Sequence, residues 1–274
     1  MNEFPALSPW WLAALAATTL FHAIFPIALA ILLIQRLGEK LKFVLYGAII
    51  FLLFQLLTRV PLVIIAGQLL GPILQESLAL RWVWVALLAL TAGLAEEIGR
   101  YIGYRWLMPN EARTWEQGVL YGVGHGGFEA VILVGFLGNF VSLINLLLLR
   151  YIDPALMGVT TEQQQLVVQQ LTALAAQPWW FPLLGAWERL WAIPFHVALS
   201  LLVLQVFWRS QQRWLWYAVA LHTIVNFIAA GALPLLSVDM LWIEGLIALV
   251  GLGSLWMIRR FRQVTPSAPA YRAA

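Results

Sequence analysis

The sequence predicts an all-α, polytopic membrane helix bundle of about seven transmembrane helices. The chain is 62% hydrophobic and only 11% charged, whereas a soluble domain is about 25% charged. Apolar stretches also recur at spanning length, which is roughly 20 residues. Backbone groups in lipid must be paired within the segment, so these stretches are helices rather than open strands. The stretches cover 10–35, 43–69, 82–107, 117–138, 182–207, 214–234 and 239–258.

Two regions depart from a simple seven-helix pattern. The apolar stretch 117–149 is too long for one span, and Gly135, Gly138 and Asn139 are candidate break points. An eighth segment over 140–149, either half-length or re-entrant, is therefore an open alternative. The Gln-rich stretch 155–177 is expected to be a surface helix or a loop outside the membrane.

The chain contains no internal repeat, so it is expected to form one domain. Residues 1–263 would form a single transmembrane domain. The tail 264–274 combines proline, alanine and serine and is predicted to be disordered and cytoplasmic.

The basic residues predict the orientation in the membrane. Loops on one side carry most of them, whereas the other loops hold only Arg81 and Arg150. Because cytoplasmic loops are enriched in Lys and Arg, the N-terminus is predicted outside and the C-terminus inside. The same rule accounts for the net charge of +3 without a nucleic-acid partner. The basic residues on the predicted inner side are Arg36, Lys40, Lys42, Arg105, Arg113, Arg209, Arg213, Arg259, Arg260, Arg262 and Arg272.

Polar and charged residues inside the predicted spans are the strongest indication of function. Each charge costs roughly 2.5–3.5 kcal/mol at mid-membrane even on the mildest scale, so several together must face one another. Those that we consider are Arg59, Glu96, Glu97, Arg100, His125, Glu129, Glu188, Arg189, His196, His222 and Asn226.

Four of these residues are predicted to share one depth. Counting from the inner helix ends at ~1.5 Å per residue places Glu96, His125, His196 and His222 roughly 12–17 Å from the cytoplasmic surface. Four helices thus contribute one carboxylate and three imidazoles to one layer. Randomly placed polar residues would lie at different depths.

The spacing within each helix agrees with a shared site. Glu96 with Arg100, His125 with Glu129 and His222 with Asn226 are each four residues apart, which places both members on one helix face. Small residues repeat at the same spacing in Gly118, Gly122 and Gly126, and such a ridge lets a neighbouring helix approach closely. We expect this ridge to press His125 and Glu129 against the other helices.

Other intramembrane polar residues have a structural explanation. His22 has no carboxylate nearby in sequence and is expected to be a hydrogen-bonded packing residue. Arg59 is expected to snorkel or to pair with a buried carboxylate. Glu188 and Arg189 are adjacent and fit a structural network as well as a site. Glu244 lies near an interface and is expected to be solvated.

Elimination narrows the chemistry. The chain has no cysteine, which excludes thiolate nucleophiles and Cys-ligated zinc. It has no HExxH zinc-protease motif, and its two aspartates, Asp153 and Asp239, lie outside the spans, so an aspartyl dyad is absent. A carboxylate with histidines remains, which suits proton transfer from water and stabilisation of an oxyanion.

Four motifs carry a resemblance to a known family. They are EEIGRY at 96–101, GHGGFEA at 124–130, ERLWAIPFHVALS at 188–200 and HTIVN at 222–226. Together they resemble the YhfC-type membrane peptidases. That family is similar to the CPBP intramembrane proteases, which include the CAAX prenyl-protein endopeptidases and bacteriocin-immunity proteins. The chain has EExxR where the larger group usually has EExxxR, and His196 lies outside the group's pattern.

The resemblance implies an intramembrane endopeptidase of the glutamate type, with its catalytic core at about 82–234. It would sit in the cell membrane as a multi-pass protein and cleave a membrane protein or peptide. Glu96 would activate water, His125 would position it, and His222 with Asn226 would stabilise the oxyanion. The implied catalytic residues are Glu96, Glu97, His125, His222 and Asn226, and the supporting residues are Arg100, Glu129, His196 and Glu188.

Metal dependence and three competing functions stay open at this point. No cofactor is expected, because Glu and Asn fill the required roles; if zinc is used, the ligands would be His125, His196 and His222. A proton-coupled transporter would also bury Glu, Arg and His, although no repeat of the kind found in transporters is present. A haem protein with histidine ligands and a non-catalytic scaffold or immunity protein on the same fold are also compatible with these residues.

Overall fold

The computed structural model describes residues 5–151 and 160–264, and these are helical apart from short connections. No strand occurs within those ranges. Seven helices in the described part of the chain are long and apolar enough to cross a membrane, which confirms the predicted number of spans. Asp153 lies outside the described residues, and so does the predicted disordered tail from residue 265 onward.

Eight helices are labelled in chain order, and all but α5 are of spanning length. They are α1 (Pro9–Leu37), α2 (Lys42–Glu76), α3 (Leu78–Trp106), α4 (Trp115–Leu148), α5 (Thr161–Ala175), α6 (Leu183–Arg209), α7 (Arg213–Leu235) and α8 (Met240–Gln263). The helix α5 forms from the Gln-rich stretch, for which a helix was one of the two predicted outcomes.

Three of the long helices change to π-helical geometry partway along. The π-helical stretches are Leu52–Arg59 in α2, Glu129–Phe140 in α4 and Phe227–Ala232 in α7. The candidate break points Gly135, Gly138 and Asn139 lie inside the second stretch, and the helix continues through them as one span, Trp115–Leu148. Such stretches are frequent at functional sites.

The described residues divide into two compact units. One unit takes the residues up to Phe25 together with those in Ala130–Arg189, and the other takes Pro26–Glu129 and the residues from Leu190 onward. The single domain expected over 1–263 stays a prediction.

The first unit has a small apolar core and one buried histidine. Leu7, Trp11, Leu15 and Leu171 pack together in that core. The His22 ring is fully buried. Its Nε2 lies 2.9 Å from the carbonyl oxygen of Gly185 and its Nδ1 lies 3.2 Å from the Asn139 amide nitrogen. Both ring nitrogens thus make polar contacts within the unit, as expected of a hydrogen-bonded packing residue.

In the second unit, α2 and α4 touch backbone to backbone. A Cβ added at Gly47 would lie 2.0 Å from the carbonyl oxygen of Tyr121, and one added at Gly124 would lie 1.9 Å from that of Val44. Only glycine has no Cβ to place there, so these two residues set the distance between the helices.

Glycines also bring α4 against α6 and α3 against α7. The predicted small-residue ridge faces α6: a Cβ at Gly122 would lie 2.5 Å from Val197 Cα, and one at Gly126 would lie 2.9 Å from His196 Cβ. A Cβ at Gly93 of α3 would lie 2.4 Å from Thr223 Oγ1 of α7. These close approaches bring together the helices that carry the buried glutamates and histidines.

Replacing Gly124 by alanine is expected to destabilise the protein by about 1–3 kcal/mol, because the added methyl group meets a backbone carbonyl that cannot rotate away. Thermal unfolding in detergent measures the change. Gly253→Ala is the matched control, since nothing lies within 4 Å of its added Cβ. An equal midpoint for both variants would contradict the tight α2–α4 packing.

The predicted orientation can be tested on a background without cysteine. Single cysteines at the exposed positions Ser8 and Gln211 would lie outside and inside the cell respectively. A membrane-impermeant maleimide should label Ser8→Cys in intact cells and Gln211→Cys only after permeabilisation. The reverse pattern would show that the N-terminus is cytoplasmic.

Candidate active site

A polar cluster lies inside the second unit, and four helices contribute to it. Its members are each less than 6% exposed. Helix α3 supplies three of them and α4, α6 and α7 supply one each. The polar cluster consists of Glu96, Glu97, Arg100, His125, His196 and His222.

Arg100 is the central residue of the polar cluster. Its Nη1 donates to Glu97 Oε1, and its Nη2 lies 3.5 Å from Glu96 Oε2. The same Nη2 lies 2.7 Å from His196 Nδ1, which is therefore the acceptor. One guanidinium thus holds both carboxylates of α3 and orients a ring from α6.

Glu96 is surrounded by the three imidazoles. Its Oε2 lies 3.0 Å from His125 Nε2 and 3.8 Å from His196 Nδ1. Its other oxygen, Oε1, lies 4.0 Å from His222 Nε2. The two oxygens of one carboxylate therefore face different partners.

Glu97 orients His222, the residue that α7 contributes to the polar cluster. Its Oε1 lies 2.6 Å from His222 Nδ1, close enough for a strong hydrogen bond. With Nδ1–H donating to Glu97, the nitrogen of His222 that faces Glu96 is Nε2. A carboxylate behind a histidine in this way fixes both the tautomer and the ring orientation.

Glu129 adds a further carboxylate beside the polar cluster. Its Oε2 lies 2.7 Å from His196 Nε2, on the ring side opposite Arg100. The Glu129 side chain is 17% exposed, more than any member of the cluster. His196 therefore bridges the buried guanidinium to a carboxylate nearer the surface.

The remaining predicted site residues lie away from these contacts. Asn226 is half-buried one turn beyond His222, and within the described part of the chain no hydrogen bond joins its side chain to the polar cluster. Glu188 pairs with its neighbour Arg189 in the first unit. The expectation that Glu244 is solvated was wrong, since this residue is only 3% exposed. Its position near a helix end had suggested an interface.

Two tyrosines next to the polar cluster were not predicted as site residues from the sequence. Tyr121 donates to the carbonyl oxygen of Arg100 at 3.4 Å, and Tyr104 donates to that of Ser200 at 3.1 Å. Their rings stack with centroids 4.4 Å apart. Tyr104 follows Arg100 by four residues and Tyr121 precedes His125 by four, so their spacing was the available signal.

The polar cluster contains a donor set that could hold a metal ion. Glu96, His125 and His196 each offer one ligand atom, and these atoms lie within 4.8 Å of one another. This set has Glu96 where the three-histidine zinc set predicted from the sequence had His222. Nitrogen and carboxylate donors are those that zinc prefers.

The charge of the site also fits a divalent cation. With ionised carboxylates at Glu96, Glu97 and Glu129 and neutral imidazoles, the guanidinium of Arg100 leaves two negative charges uncompensated. The residues present thus fit a metal centre by donor type and by charge.

Fold and site together define a class: a multi-pass membrane protein with a buried Glu–His–Arg centre. The chain belongs to the YhfC intramembrane metalloprotease family, whose model matches residues 21–250. That match includes every residue of the polar cluster, and it confirms the resemblance seen in the four motifs.

One relative comes from Bacillus subtilis (strain 168) and is described as the uncharacterized membrane protein YhfC. It is 29% identical over 214 residues, which cover 74% of this chain and 78% of the relative. No solved structure matches this chain.

Replacing Arg100 by methionine is expected to destabilise the protein by about 3–5 kcal/mol, because two buried carboxylates lose their cation. The thermal midpoint in detergent measures this loss. Arg105→Met is the matched control, since Arg105 lies exposed near the end of the same helix. A midpoint for Arg100→Met equal to that of the control would show that Arg100 does not hold the glutamates.

Proposed function

We propose that this chain hydrolyses a peptide bond of a membrane protein or membrane-associated peptide at the polar cluster. The observation that carries this proposal is the placement of one carboxylate, Glu96, between imidazoles from three other helices inside a membrane-spanning bundle. The family's description as an intramembrane metalloprotease supports the same class of reaction.

Glu96 is proposed to take a proton from the attacking water. Its Oε1 faces His222 Nε2 across 4.0 Å, and a polar contact of this length is one that a water molecule can bridge. The water oxygen attacks the scissile carbonyl carbon while Glu96 Oε1 accepts the proton. This role agrees with the one implied by the motif that contains Glu96.

His222 is proposed to relay that proton to the leaving nitrogen. Because Nδ1–H donates to Glu97, Nε2 starts without a proton; it accepts the one held by Glu96 Oε1 and donates it to the leaving nitrogen, which returns Glu96 to its carboxylate form. Breaking the carbon–nitrogen bond then releases an amine and a carboxylic acid, so the atoms of water are fully used. This assigns proton transfer to His222, whereas the motif alone implied an oxyanion donor. Asn226, one turn further on α7, keeps the oxyanion role through its amide.

A divalent metal, zinc by donor type, would be held by Glu96, His125 and His196. When bound, it would supply a Lewis acid that polarises the scissile carbonyl and makes water easier to deprotonate. Glu129 would hold the ring of His196 through Nε2, and Nδ1 would be the metal ligand once its contact with Arg100 is released. Glu96 Oε2 faces the two histidines of this set, which leaves Oε1 on the side of His222.

Glu96→Gln and His222→Ala are expected to lower the rate of cleavage at least 100-fold, because each removes a group that moves a proton. The measurement compares membrane proteins from cells carrying wild type or Glu96→Gln and follows the uncleaved species that accumulates. Glu76→Gln is the matched control, since Glu76 is exposed at the end of α2. If both site variants process the accumulated protein as fast as wild type, the proposed roles are wrong.

Purified wild-type protein is expected to retain about one equivalent of zinc, and His125→Ala should lose most of it because one of three protein ligands is gone. Elemental analysis measures the metal without requiring a substrate. His22→Gln is the control, because His22 packs against Gly185 in the first unit. Zinc content that His125→Ala leaves unchanged would place the metal elsewhere.

A further inference from the structure

An apolar groove runs between α2 and α3, and it is independent of the proposed function. It encloses about 560 Å³. Its wall on α3 extends from Trp84 to Ile98, which corresponds to a length of about 21 Å at ~1.5 Å per residue. Its walls are aliphatic and aromatic apart from Thr58, Arg59 and Thr91.

Arg59 places a positive charge in the middle of this groove. Its Nε donates to Thr91 Oγ1 at 3.2 Å and its Nη2 donates to the Leu88 carbonyl oxygen at 2.6 Å. Both acceptors are neutral. Within 4.0 Å, no carboxylate of the described residues pairs with Arg59. Glu96 acts on Arg59 only from beyond that distance, so the guanidinium has no charged partner in contact, and an anionic ligand would offset the cost of holding this charge in a membrane-spanning segment.

The walls restrict the chemistry of that partner. The hydroxyls of Thr58 and Thr91 already donate to carbonyl oxygens of their own helices. A single guanidinium is then the cation available for a ligand, which suits one monoanionic group and offers nothing to a large polar headgroup.

The lining of the groove favours a hydrocarbon chain over an extended peptide. An extended peptide would leave its backbone amides unpaired against apolar walls. A single acyl chain has no polar groups to satisfy. From Arg59 to Ala66 the groove offers about 10 Å at ~1.5 Å per residue, and the rest of a long chain would extend past the exposed Leu62 into lipid.

The direction of the chain follows from the two ends. Towards the polar cluster, the Phe54 ring packs against Gly99, where an added Cβ would lie 2.9 Å from it. In the other direction the α2 wall is made by the smaller Val63 and Ala66, Trp84 lines the α3 side, and the exposed Leu62 leaves this half open towards lipid.

We propose that this groove binds a long-chain fatty acid, with its carboxylate on Arg59 and its hydrocarbon chain running towards Ala66. The ligand class is set by one cation and by apolar walls. This site is formed by α2 and α3 alone and uses none of the members of the polar cluster.

Binding of radiolabelled palmitic acid to full-length protein in phosphatidylcholine nanodiscs tests the proposal, with empty nanodiscs as background. Wild type should bind about one equivalent saturably, and unlabelled palmitate should compete at least tenfold better than methyl palmitate. Arg59→Gln and Ala66→Phe should each weaken binding at least tenfold, the first by removing the charge and the second by filling the groove. Arg105→Gln, outside the groove, should bind as wild type does.

Equal competition by the methyl ester would overturn the proposal, because Arg59 would then not recognise the carboxylate. This comparison uses wild-type protein and holds even where a variant fails to fold. Absence of saturable binding, or unchanged binding by both Arg59→Gln and Ala66→Phe, would overturn it as well.

Discussion

The contact of one guanidinium with two carboxylates inside the bundle is the interaction on which the rest of the site depends. Arg100 bonds Glu97, approaches Glu96 and donates to His196, and all of these groups are withdrawn from solvent. Without that cation, two adjacent glutamates on one buried helix turn would repel each other in a medium of low dielectric constant. With it, both carboxylates stay in place and each directs a histidine from another helix.

Close helix packing makes this arrangement possible. The glycines at positions 93, 122 and 126 lie where any larger side chain would meet α6 or α7. Lipid provides little hydrophobic drive for helices to associate, so membrane bundles depend on such small residues and on interhelical polar contacts. In this chain the small residues and the polar residues lie in the same helical turns: Gly126 follows His125, and Gly93 precedes Glu96 by less than one turn. The site and the packing that forms it are therefore specified together.

Much of this could be predicted from the sequence because lipid penalises misplaced charge. Seven spans followed from apolar length, and the convergence of Glu96, His125, His196 and His222 followed from counting residues from the helix ends. The pairing of His222 with Glu97 could not be predicted, since it depends on how α7 rotates against α3. Glu244 was misjudged because nearness to a helix end does not reveal which neighbour covers it. The continuity of α4 through Gly135 was missed because π-helical geometry has no strong sequence pattern.

Glu96, His125 and His196, one each from α3, α4 and α6, would hold the proposed metal ion. X-ray absorption at the zinc edge of purified protein tests this centre most directly. Two imidazole nitrogens are predicted at about 2.0–2.1 Å with oxygen completing the shell, and one imidazole should be lost in His196→Ala. A fully oxygen-ligated zinc ion, or an imidazole count unchanged by His196→Ala, would contradict the proposed centre.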